Sequence, residues 1–221
     1  MSLPAPYAYG TLGVATLMHT GAPTQVELSL GGGIGLTERL WIDGSVGTIR
    51  VAPAFVFHSF QLGPNVLLVD TPDFELDATV HVSAPADDGR LVEQIEPGLY
   101  SVAHLDHKLR VDSALYLDVN PGPGLTVGLR LPLGLGFQIT EHAHAVINSG
   151  VTLSSFADAV GTTAIPAGLT LGWSDRIGQG TGAVAVLPSI NFPELIKPGA
   201  RDPFHPGSVT WGITFAYVSK Y

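Results

Sequence analysis

No cysteine occurs among the 221 residues, which excludes a disulfide scaffold, a thiolate metal site and a cysteine nucleophile. Lysine is nearly as scarce, confined to Lys108, Lys197 and Lys220. Asp, Glu, Lys and Arg together make up 13% of the chain, about half the usual share of a globular protein. The 19 acidic side chains outnumber the 10 basic ones, for a formal charge of −9. So few cations argue against nucleic acid as a partner, because phosphate backbones need a basic surface. With 45% hydrophobic residues, the chain is too apolar to be disordered. There is also no run of about 20 apolar residues, so no transmembrane helix. Stretches 1–26 and 51–69 carry no Asp, Glu, Lys or Arg, but Pro, Gly and polar side chains break them. The first lacks a basic start, so it is not an intact secretory signal. The chain reads either as cytosolic or as a form whose signal has been removed. Helical periodicity is absent too: no stretch longer than about ten residues is amphipathic at a 3.6-residue period, and Leu91–Ile95 is too short to count. The 27 Gly and 17 Pro fit that lack of helix.

What the chain does have is a period of two. Val26, Leu28, Leu30, Ile34 and Leu36 alternate with Gln25, Glu27, Ser29 and glycines. Phe74, Leu76, Ala78, Val80 and Val82 alternate with Glu75, Asp77, Thr79 and His81. Residues 109–119, 125–137 and 165–173 repeat the scheme. Strands send successive side chains to opposite faces, so each segment is a two-faced strand. Polar clusters at Glu38-Arg39, Asp70–Asp73, Asp106–Lys108, Glu141-His142 and Asp175-Arg176 recur along the chain and read as tight turns. The breaks between them are more variable and include the loops Ser83–Pro97 and Asn191–Pro206, the first charged through Asp87, Asp88, Arg90, Glu93 and Glu96. The expectation is an all-β chain of up-and-down antiparallel hairpins in a single domain over 1–221, with about twelve strands. Ten would also fit, since alternation is blurred over 54–69 and 98–105.

Alternation alone does not say which face meets water. The polar face here is rich in Gly, Ser, Thr and Ala and poor in Lys, unlike a solvated surface, and small residues suit the concave inside of a closed barrel. Aromatics gather at the ends of segments: Phe74, Phe137, Trp173, Tyr217 and Tyr221 towards the tight turns, Phe192 and Trp211 towards the longer loops. Trp and Tyr favour a membrane–water boundary. Both features point to a closed transmembrane β-barrel with its apolar face in lipid. A soluble β-sandwich is the competing reading.

The last strand adds a resemblance. Thr210-x-Gly212-x-x-Phe215-x-Tyr217 resembles the terminal signal of Gram-negative outer-membrane β-barrel, porin-like proteins: polar, any, Gly, any, any, hydrophobic, any, hydrophobic. Gly-Leu-Thr-Glu-Arg-Leu at 35–40 is similar to the short periplasmic turns of the same family. Many members end in Phe or Trp, from which Tyr221 departs. The resemblance implies residence in the bacterial outer membrane, with the lipid bilayer and the outer-membrane insertion machinery as partners.

Strand parity then places Glu27, Glu75, Asp77, His81, Arg110, Asp112, Tyr116, Asp118, Arg130, His144 and Asn148 on the inside, with Asp43 joining them. Twelve strands leave more room than eight, so a water-filled lumen is expected. Charges within such a wall mark either a water path or a salt-bridged plug. Acidic residues outnumber Arg, so an open lumen favours cations or neutral small solutes. The function expected is a passive channel. A non-conducting structural or adhesive barrel is the alternative, and a membrane-embedded lipid-modifying hydrolase ranks below both. For the last, His81-x-Ser83 is similar in spacing to an outer-membrane lipid A deacylase, but that family's pair faces lipid, whereas parity turns this one inward. His142 and His144 share a strand face yet need a third ligand to hold a metal. Asp106-His107 sits in a tight turn, away from any cleft. Gly31-Gly32-Gly33 precedes no helix and so cradles no phosphate. No catalytic residue, metal or cofactor is expected, and nothing in the sequence sets the number of protomers.

Overall fold

The computed structural model describes residues 7–19, 21–52, 54–57, 59–85, 91–122, 124–177, 182–204 and 206–220. Asp87, Asp88, Arg90 and Tyr221, named above, lie outside them. The chain runs up and down through β1 (Tyr7–His19), β2 (Gln25–Gly35) and β3 (Leu40–Ala52). A two-residue strand, β4 (Val56–Phe57), pairs beside Ile49 and Arg50 of β3. Then follow β5 (Ser59–Asp70), β6 (Phe74–Pro85), β7 (Gln94–His104), β8 (Leu109–Asn120) and β9 (Thr126–Gln138). The last four are β10 (Ala143–Leu153), β11 (Thr163–Ile177), β12 (Gly182–Ile196) and β13 (Ser208–Lys220). Each long strand pairs antiparallel with its neighbours, and β1 pairs with both β2 and β13, from Tyr7↔Lys220 to His19↔Ser208. The sheet therefore closes into a barrel of twelve long strands, and closure removes the edges that would otherwise aggregate.

The two faces are distributed in reverse of a soluble protein. No large side chain among the described residues is fully buried. Leu12, Leu30, Leu62, Val80, Leu115, Leu133, Ile147 and Ile213 are all exposed on the outer surface. Leu169 and Phe215, at 39% and 46% exposure, stand outside, while Gly128 and Gly212 between such residues are buried. Trp173, Phe137, Phe74 and Tyr217 ring one end of this apolar wall and Trp211 lies towards the other. Hydrocarbon, not water, is the solvent such a surface suits. The twelve long strands, at 11 to 15 residues, meet or exceed the roughly 9–11 needed to cross a bilayer.

The tight turns share one construction. In 36–39, 105–108 and 139–142 the residue after the strand donates its N–H to the carbonyl that opens the next strand: Leu36 to Leu40, Leu105 to Leu109, Ile139 to Ala143. A Thr or Asp at the second position then caps the turn. Thr37 Oγ1 accepts from Arg39 N, Asp106 Oδ1 from Lys108 N at 2.6 Å and Leu109 N at 2.9 Å, and Thr140 Oγ1 from His142 N and Ala143 N. The N–H groups of Lys108 and Leu109 hold the Asp106 carboxyl below the usual carboxylate range. Side-chain acceptors of this kind substitute for missing ladder bonds.

Several sequence-based boundaries shift. The expected loop Ser83–Pro97 is shorter: β6 continues to Pro85 and β7 starts at Gln94, so Glu96 belongs to the wall. Likewise β12 continues to Ile196 in the expected loop Asn191–Pro206. Asp70, Asp175 and Arg176 end strands and do not form turns. Arg50 lies within β3, whose ladder with β2 shifts register between Val26 and Glu27 and between Leu28 and Leu30. The connection from β10 to β11 contains a short helical turn, Phe156–Thr162, capped by Ser155 and Asp158.

Candidate functional site

The polar side chains converge inside the barrel. Tyr9 on β1 donates its hydroxyl to Asp43 on β3 at 3.1 Å, reaching past β2. His81 Nε2 on β6 lies 2.7 Å from Asp43 Oδ1, reaching past β5. Arg130 on β9 pairs with Glu96 on β7, reaching past β8. Contacts that skip an intervening strand can form only on the concave face, and they fix which side is interior.

These contacts join into one chain. His81 Nδ1 is 3.9 Å from Glu96 Oε1. Arg130 Nε donates to both oxygens of Asp118, at 2.9 and 3.1 Å, and Gln94 Nε2 donates to the same carboxylate at 2.9 Å. The Arg130 guanidinium also lies 5.2 Å from the Tyr116 ring centroid, within cation–π range. Tyr9, Asp43, His81, Glu96, Arg130 and Asp118 thus form a continuous network from β1 to β9. Burial makes such a network depend on every member being paired.

Space for these side chains comes from glycines opposite them. Gly63 pairs with Asp43, and a Cβ on Gly63 would fall 2.9 Å from the His81 Cα and into its ring. Gly98 pairs with Tyr116 and Gly172 with His144 in the same way. The glycines of the polar face therefore act by size, accommodating a bulky neighbour.

The remaining residues expected inside take these positions. Arg110 Nη2 lies 3.2 Å from Asp112 Oδ2. Asn148 Nδ2 donates to Thr170 Oγ1 at 3.1 Å. His144 sits over Gly172 beside Arg110, in a cavity at the tight-turn mouth. Glu27 is opposite Arg50 in the β2–β3 register. Glu75 and Asp77 line a second cavity, of about 280 Å³, together with Tyr7, Tyr9, Trp41 and Tyr100. His142 and His144 part company: His142 is in the turn, with its Nδ1 3.2 Å from the Ser174 carbonyl oxygen and its ring 6.4 Å from that of Trp173. In the last strand Gly212 lets β1 approach closely, since a Cβ there would be 2.7 Å from the Val14 carbonyl oxygen. Thr210 pairs with Leu17 and Asn191, while Phe215 and Tyr217 stand on the outer surface. No group of three potential metal-ligating side chains comes together among the described residues.

Sequence reasoning missed Glu96 and Gln94, the aromatics Tyr7, Tyr9, Trp41 and Tyr100, and Arg50. Alternation over 94–102 does carry a signal: Gln94, Glu96, Gly98 and Tyr100 fall on one parity, with Ile95, Pro97 and Leu99 on the other. Pro97 obscures it by resembling a break. The β7–β8 ladder accordingly passes from Ile95 to Gly98.

The opposite wall is different in kind. Through the middle of the wall the inward positions of β11 and β13 are Gly168, Thr170, Gly172, Thr210, Gly212, Thr214 and Ala216, with no charge among them. One half of the lumen is charged and networked, and the other is small and neutral.

Among solved structures the barrel is similar to the KdgM porin, with a TM-score of 0.63 at 7% identity, covering 96% of this chain and 99% of that one. It is similar also to an outer-membrane channel from Pseudomonas putida F1, with a TM-score of 0.58 at 14% identity over 98% and 96%. A third is the CymD monoaromatic hydrocarbon channel, with a TM-score of 0.51 at 9% identity over 99% and 89%. No family model and no curated protein sequence matches the chain. At these identities the likeness is one of fold: the chain has the closed antiparallel β-barrel architecture of outer-membrane channels and porins.

Proposed function

We propose that this protein resides in the bacterial outer membrane as a passive channel for small solutes, with a lumen that favours cations and neutral molecules over anions. The observation that carries this reading is a polar, acidic interior inside an apolar-clad barrel. Glu27, Asp43, Glu75, Asp77, Glu96, Asp112 and Asp118 face Arg50, Arg110 and Arg130. Rings of carboxylates attract cations and repel anions. One structure similar to this chain is described as a KdgM porin in complex with oligogalacturonate, a polyanion. The acidic balance here argues against such a solute. The tight-turn end would lie in the periplasm, with the β6–β7 and β12–β13 connections at the opposite, outer end. Thr210, Gly212, Phe215 and Tyr217 would be read by the insertion machinery.

Planar-bilayer recording under a KCl gradient tests the reading. The expected result is a stepwise current whose reversal potential is displaced towards that of potassium. No current above a protein-free control removes the channel reading. A second reading, a non-conducting barrel, is favoured by the network that links β1 to β9 across the interior. That same null result would support it.

A further inference from the structure

His81 is set between two carboxylates that come from different strands. Its Nε2 lies 2.7 Å from Asp43 Oδ1 of β3. Its Nδ1 lies 3.9 Å from Oε1 of Glu96, the residue directly opposite it in the β6–β7 ladder. The second oxygen of each carboxylate is engaged elsewhere: Asp43 Oδ2 accepts from Tyr9, and Glu96 Oε2 pairs with Arg130. The Thr79 hydroxyl, on the same face of β6, is 3.3 Å from His81 Nδ1, 3.4 Å from Nε2 and 3.5 Å from the Pro64 carbonyl oxygen. Among the described residues, no other charged group comes as close to the ring. Asp77 is further along β6, Arg130 stands behind Glu96, and the inward positions of β5 here are the uncharged Gln61, Gly63 and Asn65.

A neutral imidazole has one N–H and one lone pair. With the N–H on Nε2, facing Asp43, the lone pair on Nδ1 accepts from the Thr79 hydroxyl and offers nothing to Glu96. A second proton puts an N–H on Nδ1. Glu96 Oε1 then accepts it, and the Thr79 hydroxyl turns to the Pro64 carbonyl. Ring and hydroxyl thus have partners in both protonation states, so one proton moves the site between two complete arrangements. The proton also adds a positive charge to an interior where carboxylates outnumber guanidiniums, which weakens its attraction for cations. We infer that His81 is a proton sensor in the lumen: on acidification its Nδ1 exchanges Thr79 for Glu96, and the preference of the channel for cations falls. The inference deepens the channel reading by naming its regulation, and the effect on permeation rests on that reading. The exchange of partners requires only the folded barrel.

Two readouts test it on the folded barrel, each between about pH 7.5 and about pH 5.5, a range that spans ordinary histidine titration. The first is the K⁺/Cl⁻ permeability ratio from the reversal potential under a KCl gradient. It should fall by about twofold or more in the parent and clearly less in His81→Gln, which keeps an N–H for Asp43 but takes up no proton. His104, His107, His144 and the interior carboxylates are common to both proteins, so the difference between the two belongs to position 81. His81→Asn serves if His81→Gln does not keep the mobility of the folded form on an unheated gel. The second readout is NMR of histidine ring nitrogens and glutamate carboxyl carbons. His81 Nδ1 should gain its proton and the Glu96 carboxyl carbon should shift with the same midpoint, a response absent from the His81 variant. An equal fall of the ratio in parent and variant, or a Glu96 signal that ignores His81, overturns the inference while the channel reading stands. Absence of current at either pH with the NMR response present fails the channel reading and leaves the proton-driven exchange in place.

Discussion

Arg130 is the residue on which the interior network turns. It bridges Glu96 and Asp118, which otherwise share no cation, and lies against Tyr116. Its side chain is 38% exposed inside the barrel, so water reaches the guanidinium and screens part of the attraction. Arg130→Ala leaves two largely buried carboxylates to face each other. The expected cost is about 1–3 kcal/mol in urea unfolding from lipid vesicles, at the lower end for a breached buried ion pair. If the lumen conducts, the same substitution should raise its preference for cations by removing a fixed positive charge. A variant as stable as the parent would mean that Glu96 and Asp118 are solvated independently of Arg130.

At the scale of elements, the chain repeats a hairpin whose turn carries its own cap. Asp106 does in 105–108 what Thr37 and Thr140 do in their turns, but through a charged acceptor. Its carboxyl titrates below the usual range in the folded protein, so its contribution is complete above the unfolded carboxylate value of about 4 and is lost as pH falls through the lower, folded value. Asp106→Thr should therefore keep the turn and abolish that acid sensitivity, whereas Asp106→Ala should loosen the turn at all pH. The Leu109 amide resonance followed between neutral and acid pH would show this. A wild-type resonance that does not respond to acid would remove Asp106 from the cap.

This is also the scale at which the sequence is most legible. Alternation located β2, β6, β8, β9, β11 and β13, whose outward positions are mostly Leu, Val, Ile and Phe. It was silent on β1 and β3, where Gly10, Gly13, Gly44 and Trp41 interrupt the pattern for reasons that lie on neighbouring strands. Gly44 faces the Gln61 backbone at close range, and Trp41 fills space beside Tyr7 and Tyr9. The acidic interior was legible as parity. The Tyr9–Asp43–His81 and Glu96–Arg130 contacts were not, because each crosses an intervening strand and so depends on the curvature of the closed sheet.

At the scale of the whole molecule, each face of the barrel is built for a different solvent. The outer positions of the strands carry a nearly continuous apolar wall, and its few hydroxyls are satisfied locally. Ser101 Oγ lies 2.8 Å from Ser113 Oγ, and Ser149 Oγ donates to the Pro166 carbonyl oxygen at 3.0 Å. That is the arrangement a hydrocarbon environment requires of polar groups. The absence of native cysteine allows a direct reading of the choice, because any introduced thiol is unique. Single substitutions Leu169→Cys and Thr170→Cys on β11, with Ile213→Cys and Thr214→Cys on β13, place neighbouring thiols on opposite faces. In the barrel reconstituted into lipid vesicles, a charged, water-soluble thiol reagent should modify the thiols at 170 and 214 and spare those at 169 and 213. Modification at 169 and 213, with 170 and 214 protected, would contradict the account.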